Sequence, residues 1–215
     1  MSNFKKISNN PTSRSHVSYA YAFLDNAFDN KELEFIEKHM AKSPLSDAKY
    51  FDDKKLEYVS DSGENTPRKS KISFHRPDEK TNWIFERINN TIETINEQFF
   101  NYDLNGYESI QYSEYNSNEL GRYDFHMDMH LSDIINLENL NTRKLSIGML
   151  LNEPGVDFDG GDFMINTSRE KNSHKLEMKK GRLVFFPSFM LHTVTPVTRG
   201  IRKSLVVWVT GPKFI

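Results

Sequence analysis

The string His126-Met127-Asp128 places an imidazole and a carboxylate two residues apart. On a β-strand, residues i and i+2 face the same side about 6–7 Å apart, so the two groups can grip one ion. Asp124 and His130 extend the same row, but on a straight strand His130 would fall about 13 Å from His126, beyond a shared coordination sphere. Taken alone, the pattern is a weak signal and better describes the polar, solvent-facing edge of an amphipathic strand. A second histidine, His192, lies in Phe185-Phe186-Pro187-Ser188-Phe189-Met190-Leu191-His192-Thr193-Val194, two apolar strands around a Pro-Ser turn. There it faces an interior, either as a core histidine satisfied by backbone or as a third ligand.

Two imidazoles and one carboxylate occupy one face of an octahedral ion and leave three positions open, a set that suits non-haem Fe(II) chemistry with O2. Zinc would favour three or four N/S ligands in a tetrahedron. A third element, Arg199-Gly200-Ile201-Arg202-Lys203-Ser204, precedes the apolar strand Leu205–Val209. Hairpin pairing with the strand of His192 would set the Arg202 guanidinium deep beside that histidine. A buried arginine needs an anionic partner, and its planar fork matches a carboxylate. Ser204, on the same face, could add a hydroxyl. The alternative is an ordinary ion pair with one of the 30 acidic side chains. His16, His39, His75 and His174 are read as surface residues.

The elements that must hold these groups follow from periodicity. Residues 1–18 read as an irregular arm, and 19–24 as a short strand. Asp29 is positioned to cap a helix over 30–42, with Leu33, Ile36 and Met40 on one face. From 43 to 80 the composition is polar, predicting a long loop with at most one or two strands (56–59 and 72–74), either a lid or an ordinary surface loop. The clearest helix spans 80–100, where Ile84, Ile88, Ile92, Ile95 and Phe99 form an apolar stripe. After Asn105-Gly106 the period changes to β: 107–115, 123–130, 144–151, 162–165, 182–186 and 203–209, punctuated by Gly, Pro, Asn and Asp. Helices first and short strands afterwards suggest a β-sandwich or barrel braced by helices.

Composition narrows the class. The chain has 215 residues, 37% of them apolar and 13% aromatic, which fits one globular domain with a real core. A formal net charge of −2 and a pI of about 6.4 argue against a nucleic-acid binder or a polybasic membrane anchor. Cysteine is absent, which excludes disulfides, thiolate catalysis and Cys-based metal sites. No apolar run reaches the ~18 residues of a membrane span, and the first residues show no secretory signal, so a cytoplasmic protein is expected.

In this order the motifs resemble the 2-oxoglutarate- and Fe(II)-dependent dioxygenases, in the prolyl-4-hydroxylase-like branch and its PKHD-type members. The match runs through His126 and Asp128, Leu145–Asn152, Asp157-Phe158-Asp159-Gly160-Gly161-Asp162-Phe163, Lys180–Ser188, and His192-x3-Pro196-Val197-Thr198-x-Gly200-x-Arg202. It covers about 107–210, roughly half the chain. The resemblance implies a mainly β fold: a double-stranded β-helix (jelly-roll) over 107–211, with an N-terminal arm, helices and lid-like loop over 1–106. It implies Fe(II) held by His126, Asp128 and His192, and Arg202 on the distal carboxylate of 2-oxoglutarate with Ser204 in support. A cosubstrate tyrosine is also implied; Tyr115 is preferred to Tyr123, and Asn116–Arg122 is a longer connection than the family's. O2 would be the second cosubstrate and ascorbate a reductant, with succinate and CO2 released as an unactivated C–H is hydroxylated. Phe125, Phe185, Phe186 and Trp208 are the expected cavity walls.

A peptidyl or protein proline is the expected substrate, with a free amino acid or small metabolite as alternative. A catalytically silent metal- or ligand-binding barrel is a different class, disfavoured by the triad standing intact beside Arg202. A nucleobase substrate is disfavoured because the Arg199-Gly200-Ile201-Arg202 string lacks the paired-arginine pattern of the repair dioxygenases. Oligomeric state is not legible.

Overall fold

A computed structural model describes residues 20–52, 55, 57–60, 63, 65–129, 140–166 and 173–213. The expected arm over 1–18 and His130 lie outside the described residues. In chain order the elements are β1 (Ala22–Leu24), α1 (Asn30–Met40), β2 (Ser46–Asp47), β3 (Tyr50–Asp52), β4 (Glu57–Val59), β5 (Arg68–Lys69), β6 (Lys71–His75) and α2 (Asn82–Ile95), which runs into one π turn. Then follow β7 (Ile110–Asn116), β8 (Arg122–His126), β9 (Asn141–Leu150), β10 (Phe158–Gly160), β11 (Phe163–Asn166) and β12 (Ser173–Lys175). The chain closes with β13 (Leu183–Pro187), β14 (His192–Val194) and β15 (Val197–Pro212). No helix among the described residues is long and apolar enough to cross a membrane.

Two antiparallel sheets face each other. The major sheet runs β1-β13-β9-β15-β7-β6-β2, with β10 also paired to β15; the minor sheet runs β12-β11-β14-β8-β5. This is the jelly-roll that the family resemblance implies, and it meets the strand pattern's expectation of a sandwich or barrel. Alternation along each strand divides the major sheet's side chains between two cores. Leu145, Ile147, Met149, Phe185, Leu205 and Val207 point outward and pack on the helices. Tyr115, Leu150, Val184 and Phe186 point inward, toward Phe163, Ile165 and Val194 of the minor sheet.

The helices form where their caps and stripes predict. Asp29 accepts from the Glu32 backbone N–H at 2.8 Å while its own N–H donates to the Glu32 carboxylate at 2.9 Å, a reciprocal capping box. Leu33, Ile36 and Met40 of α1 and Ile84, Ile88, Ile92 and Ile95 of α2 are buried against the outer face of the major sheet. Arg87 donates to Glu32 at 2.7 Å and ties the two helices together.

The polar segment 43–80 departs from expectation. It carries five short strands instead of one or two: β2 and β6 extend the major sheet, β5 extends the minor sheet, and β3 and β4 form a hairpin. Strands at sheet margins bury only part of their surface, so they show little of the apolar alternation that marks a strand in sequence.

Candidate metal centre

His126 ends β8, and Asp128 lies just beyond it, so the strand pleat alone does not align the pair. Asp128 is placed instead by the turn between β13 and β14: its N–H and that of Met129 donate to the Ser188 carbonyl at 2.9 and 3.0 Å. His192 opens β14 and stands directly opposite His126 in the β14–β8 register. The expected triad is therefore assembled. His126 Nε2 lies 3.7 Å from Asp128 Oδ1, His192 Nε2 lies 3.6 Å from Oδ2, and the three donor atoms all fall within 4.8 Å of one another. It is the one cluster of its kind among the described residues.

Backbone carbonyls orient both imidazoles. His126 Nδ1 donates to the Asp124 carbonyl at 2.8 Å and His192 Nδ1 to the Met190 carbonyl at 2.9 Å. With the proton committed at Nδ1, each Nε2 presents a lone pair to the centre. Burial and the proximity of His192 hold the His126 pKa well below its ordinary value, keeping the ring neutral and ligand-ready. Burial would raise Asp128, but His192, His126, Arg143 and a hydrogen bond from Ser146 outweigh it and keep the carboxyl below its usual range. Two imidazoles and one carboxylate, with one side open to a cavity, fit a divalent iron ion by the chemistry of their donors.

The same cavity holds Arg202, which is 4% exposed. Its place differs from the hairpin expectation. β15 does not pair with β14; it lies in the major sheet beside β7, β9 and β10, so Arg202 faces His192 across the barrel. The apolar β15 is sixteen residues long and finds longer partners in β7 and β9 than the three-residue β14 can supply. Arg202 Nε donates to the Gly161 carbonyl at 3.1 Å and an NH1 proton to Ser204 Oγ at 2.9 Å. Its Cζ lies 5.3 Å from the centre of the Tyr115 ring, and Tyr115 is its partner in the β15–β7 register. Among the described residues no carboxylate forms an ion pair with it. Burial lowers its pKa, against the opposing pulls of Tyr115 and Asp162. Gly161 explains the double glycine: with φ at +60°, a Cβ there would come within 2.8 Å of Arg202 Cδ.

Tyr123 serves another neighbour. Its ring stacks on His126 at 3.4 Å and in turn lies under the Arg68 guanidinium, 4.5 Å from Cζ. Arg68 carries no sequence signal beyond its charge, because β5 reaches the site only through minor-sheet pairing. The connection from Tyr115 to Arg122 is a 3-10 turn, Ser117–Glu119, that carries the chain from the major to the minor sheet.

Of the four expected aromatic walls, Phe186 and Trp208 line the cavity. Phe185 points the opposite way into the helix-facing core, and Phe125 is half exposed. Asp124 lends only its carbonyl and pairs with Arg122 at 3.4 Å. His174 is exposed, as expected. His39 and His75 are less exposed than expected: His39 Nε2 lies 3.9 Å from an Asp78 oxygen, and His75 Nε2 sits 2.8 Å from Ser73 Oγ. Ser188, whose carbonyl holds the Asp128 N–H, and its neighbour Ser146 are both fully buried, and in the sequence each is only a single hydroxyl in an apolar string.

Residues 110–210 match the model of the 2OG-Fe(II) oxygenase superfamily, which places that region in the class that the jelly-roll and the His-Asp-His cluster define. Over 98 residues the chain is 34% identical to the PKHD-type hydroxylase YbiX of Escherichia coli O157:H7 (strain EC4115 / EHEC), covering 46% of this chain and 40% of that protein. The match thus spans well under half the length of the curated relative. Across the wider fold, a Pseudomonas putida prolyl-4-hydroxylase superposes with a TM-score of 0.68 at 20% identity, covering 91% of this chain and 95% of its own. A Trichoplax adhaerens prolyl hydroxylase, solved with a hypoxia inducible factor oxygen degradation domain peptide fragment, superposes with a TM-score of 0.67 at 19% identity, over 88% and 83%. Over 110–210 the chain is therefore similar to the 2OG-Fe(II) oxygenases and to a PKHD-type hydroxylase, and its fold is shared with the prolyl hydroxylases that superpose on it.

Proposed function

We propose that this protein is an Fe(II)- and 2-oxoglutarate-dependent dioxygenase that hydroxylates an unactivated C–H of a peptidyl or protein substrate, in the manner of a prolyl 4-hydroxylase. His126, Asp128 and His192 hold the iron, and Arg202 receives the distal carboxylate of 2-oxoglutarate with Ser204 and Tyr115 beside it. One observation carries the reading: a three-donor cluster and a buried guanidinium that pairs with no carboxylate among the described residues share one cavity. A structure that buries a cation without an anion is built to receive one.

Bound at the triad, ferrous iron with the keto acid and O2 would supply the oxidising power for C–H hydroxylation, with succinate and CO2 released. The chain's own residues bind, orient and exclude water. The Asp124 and Met190 carbonyls fix the two imidazoles, Arg202 fixes the far end of the keto acid, and Phe163 and Phe186 pack beside His192 with ring centres 5.5 and 4.8 Å away. A cleft of about 380 Å³ opens over the site and is lined by Tyr58, Phe74, Met127, Arg143 and Trp208 among others. Its size and its open, apolar rim favour a peptide over a free amino acid. The whole chain acts as one domain in this reading, and within 43–80 the β3–β4 hairpin, which stands apart from both sheets and whose Tyr58 borders that cleft, serves as its lid.

The test is succinate formation by the purified protein with Fe(II), 2-oxoglutarate, O2 and ascorbate, followed by a screen of prolyl peptides against free amino acids. Succinate release that prolyl peptides accelerate is expected. No succinate under any condition refutes the activity, and acceleration by free amino acids alone refutes the substrate class.

A further inference from the structure

Two arginines border the cleft over the metal site, one from each sheet, and neither forms an ion pair with a carboxylate among the described residues. Arg68 projects from β5, where it is the register partner of Tyr123, and is only 8% exposed. Its Nε donates to Ser70 Oγ at 3.1 Å and an NH1 proton to the Lys49 carbonyl at 3.1 Å, while its Cζ lies over the Tyr123 ring. A guanidinium carries five N–H donors, so three of them meet no acceptor among the described residues. Arg143 reaches the same cleft from β9. Its NH1 donates to the Asp128 carbonyl at 3.2 Å, and its Cζ lies 4.3 Å from the centre of the Trp208 ring. The acidic groups bordering the cleft are committed elsewhere: Asp128 belongs to the metal cluster, and Asp47 is bound to Lys71 at 3.0 Å.

Charge balance shows what is missing. The Asp128 carboxylate and the two carboxylates of 2-oxoglutarate offset a ferrous ion and Arg202, which leaves Arg68 and Arg143 over. A cation withdrawn from water needs an anion beside it, and a guanidinium fork matches a carboxylate. We infer that Arg68 is a specificity-determining residue that receives a carboxylate of the substrate, so that the peptide taken by the cleft carries an acidic side chain within two residues of the one hydroxylated. Arg143 adds to the attraction from the other sheet. The closeness follows from the stack of rings: Arg68 Cζ lies 4.5 Å from the Tyr123 ring centre, and that ring lies 3.4 Å from the ring of the metal donor His126. Two residues of extended chain span about 7 Å, enough to bridge that separation. The inference rests on the dioxygenase reading above and names its substrate class.

Peptide binding to the Fe(II)- and 2-oxoglutarate-loaded protein without O2, read by fluorescence anisotropy, tests this without turnover. The probes are dye-labelled, C-terminally amidated peptides with one central proline among alanine and glycine. One series carries aspartate at either of the two positions before or after the proline, and a matched series carries asparagine there. At the preferred position aspartate should bind about 10–150-fold more tightly than asparagine, the worth of hydrogen bonds to a charged group. In Arg68→Met that ratio should fall to within about threefold, and Arg68→Lys should keep part of it. A merely structural arginine would weaken both series alike and leave the ratio unchanged. Arg199→Met, at an exposed residue paired with Asp159, is the control and should keep the native ratio. Equal binding of the two series by the wild type, absence of binding included, overturns the inference, as does an undiminished ratio in Arg68→Met. If Arg68→Met does not fold, Arg68→Lys decides, a native ratio there overturning the inference. A third series, with asparagine beside the proline and a free C-terminal carboxylate two residues after it, separates the sources: an advantage in that series alone overturns the acidic side chain. Succinate formation separates this inference from the reading beneath it. A protein that forms succinate without an aspartate preference fails only here, and one with the preference that never forms succinate fails only as a dioxygenase.

Discussion

Exchange of Arg202 for methionine should separate binding from stability. The guanidinium is 4% exposed, its polar neighbours are the Gly161 carbonyl at 3.1 Å and Ser204 Oγ at 2.9 Å, and no ion pair compensates its charge among the described residues. Removing one partner of a buried charge pair costs about 3–5 kcal/mol, because the other charge is left alone. At 1.4 kcal/mol per factor of ten, 2-oxoglutarate binding should fall by roughly two to four orders of magnitude. Folding should respond differently. Replacing buried charge by an apolar side chain of similar length is often neutral or stabilising by about 1–4 kcal/mol, against which the orphaned Gly161 carbonyl costs about 1–3 kcal/mol. The ligand-free variant is therefore expected to melt at or slightly above the wild-type temperature. Arg202→Lys should restore only part of the binding, since an ammonium keeps the charge and loses the fork. Arg199, exposed and paired with Asp159 at 2.6 Å, is the control, and Arg199→Ala should change binding by no more than about twofold. The assay is anaerobic titration of 2-oxoglutarate into the Fe(II)-loaded protein, read by the metal-to-ligand charge-transfer band. Near-native affinity in Arg202→Met, or a larger loss in Arg199→Ala, would refute the assignment of the carboxylate site.

Four further outcomes are expected. His126→Ala, Asp128→Ala and His192→Ala should each abolish Fe(II)-dependent succinate formation while far-UV circular dichroism stays native; substantial turnover in His192→Ala would remove it from the ligand set. Gly161→Ala should weaken 2-oxoglutarate binding by about 5–150-fold, because a left-handed backbone and a Cβ against Arg202 Cδ together cost about 1–3 kcal/mol; titration as above decides. Asp25, bound by Arg182 at 2.7 and 2.8 Å and by Lys179 at 3.0 Å, has its carboxyl held far below the usual range, chiefly by the Arg182 hydrogen bond. A lowered native pKa adds stability above the unfolded value of about 4 and loses it as pH falls, so Asp25→Asn should melt a few degrees lower at pH 7, with the gap closing toward pH 3; a gap constant with pH would contradict this. Finally, substrate should slow proteolysis within 43–80, and equal cleavage rates with and without every substrate tried would dispose of the lid.

Local chemistry was legible in the chain itself, and long-range pairing was not. The Asp29 capping box and the Ile84–Ile95 stripe need only neighbours within a few residues, so they read directly as α1 and α2. The string His126-x-Asp128, the lone interior His192 and the double glycine before Phe163 likewise carried the site's chemistry in their residue types. What tertiary structure decided is which strand lies beside which. Arg202 reaches the cavity from the sheet opposite His192 because β15 pairs with β7 and β9, and no local pattern distinguishes that from a hairpin. One residue of register sends Phe185 into the helix-facing core and Phe186 into the barrel. Tyr115 meets Arg202 across β7 and β15, whereas Tyr123 is taken up by His126 and Arg68 on the minor sheet. The Ser146 and Ser188 hydroxyls come together from positions 42 residues apart in the chain. A hydroxyl's role depends on what the fold sets within 3 Å of it, and sequence spacing holds no record of that distance.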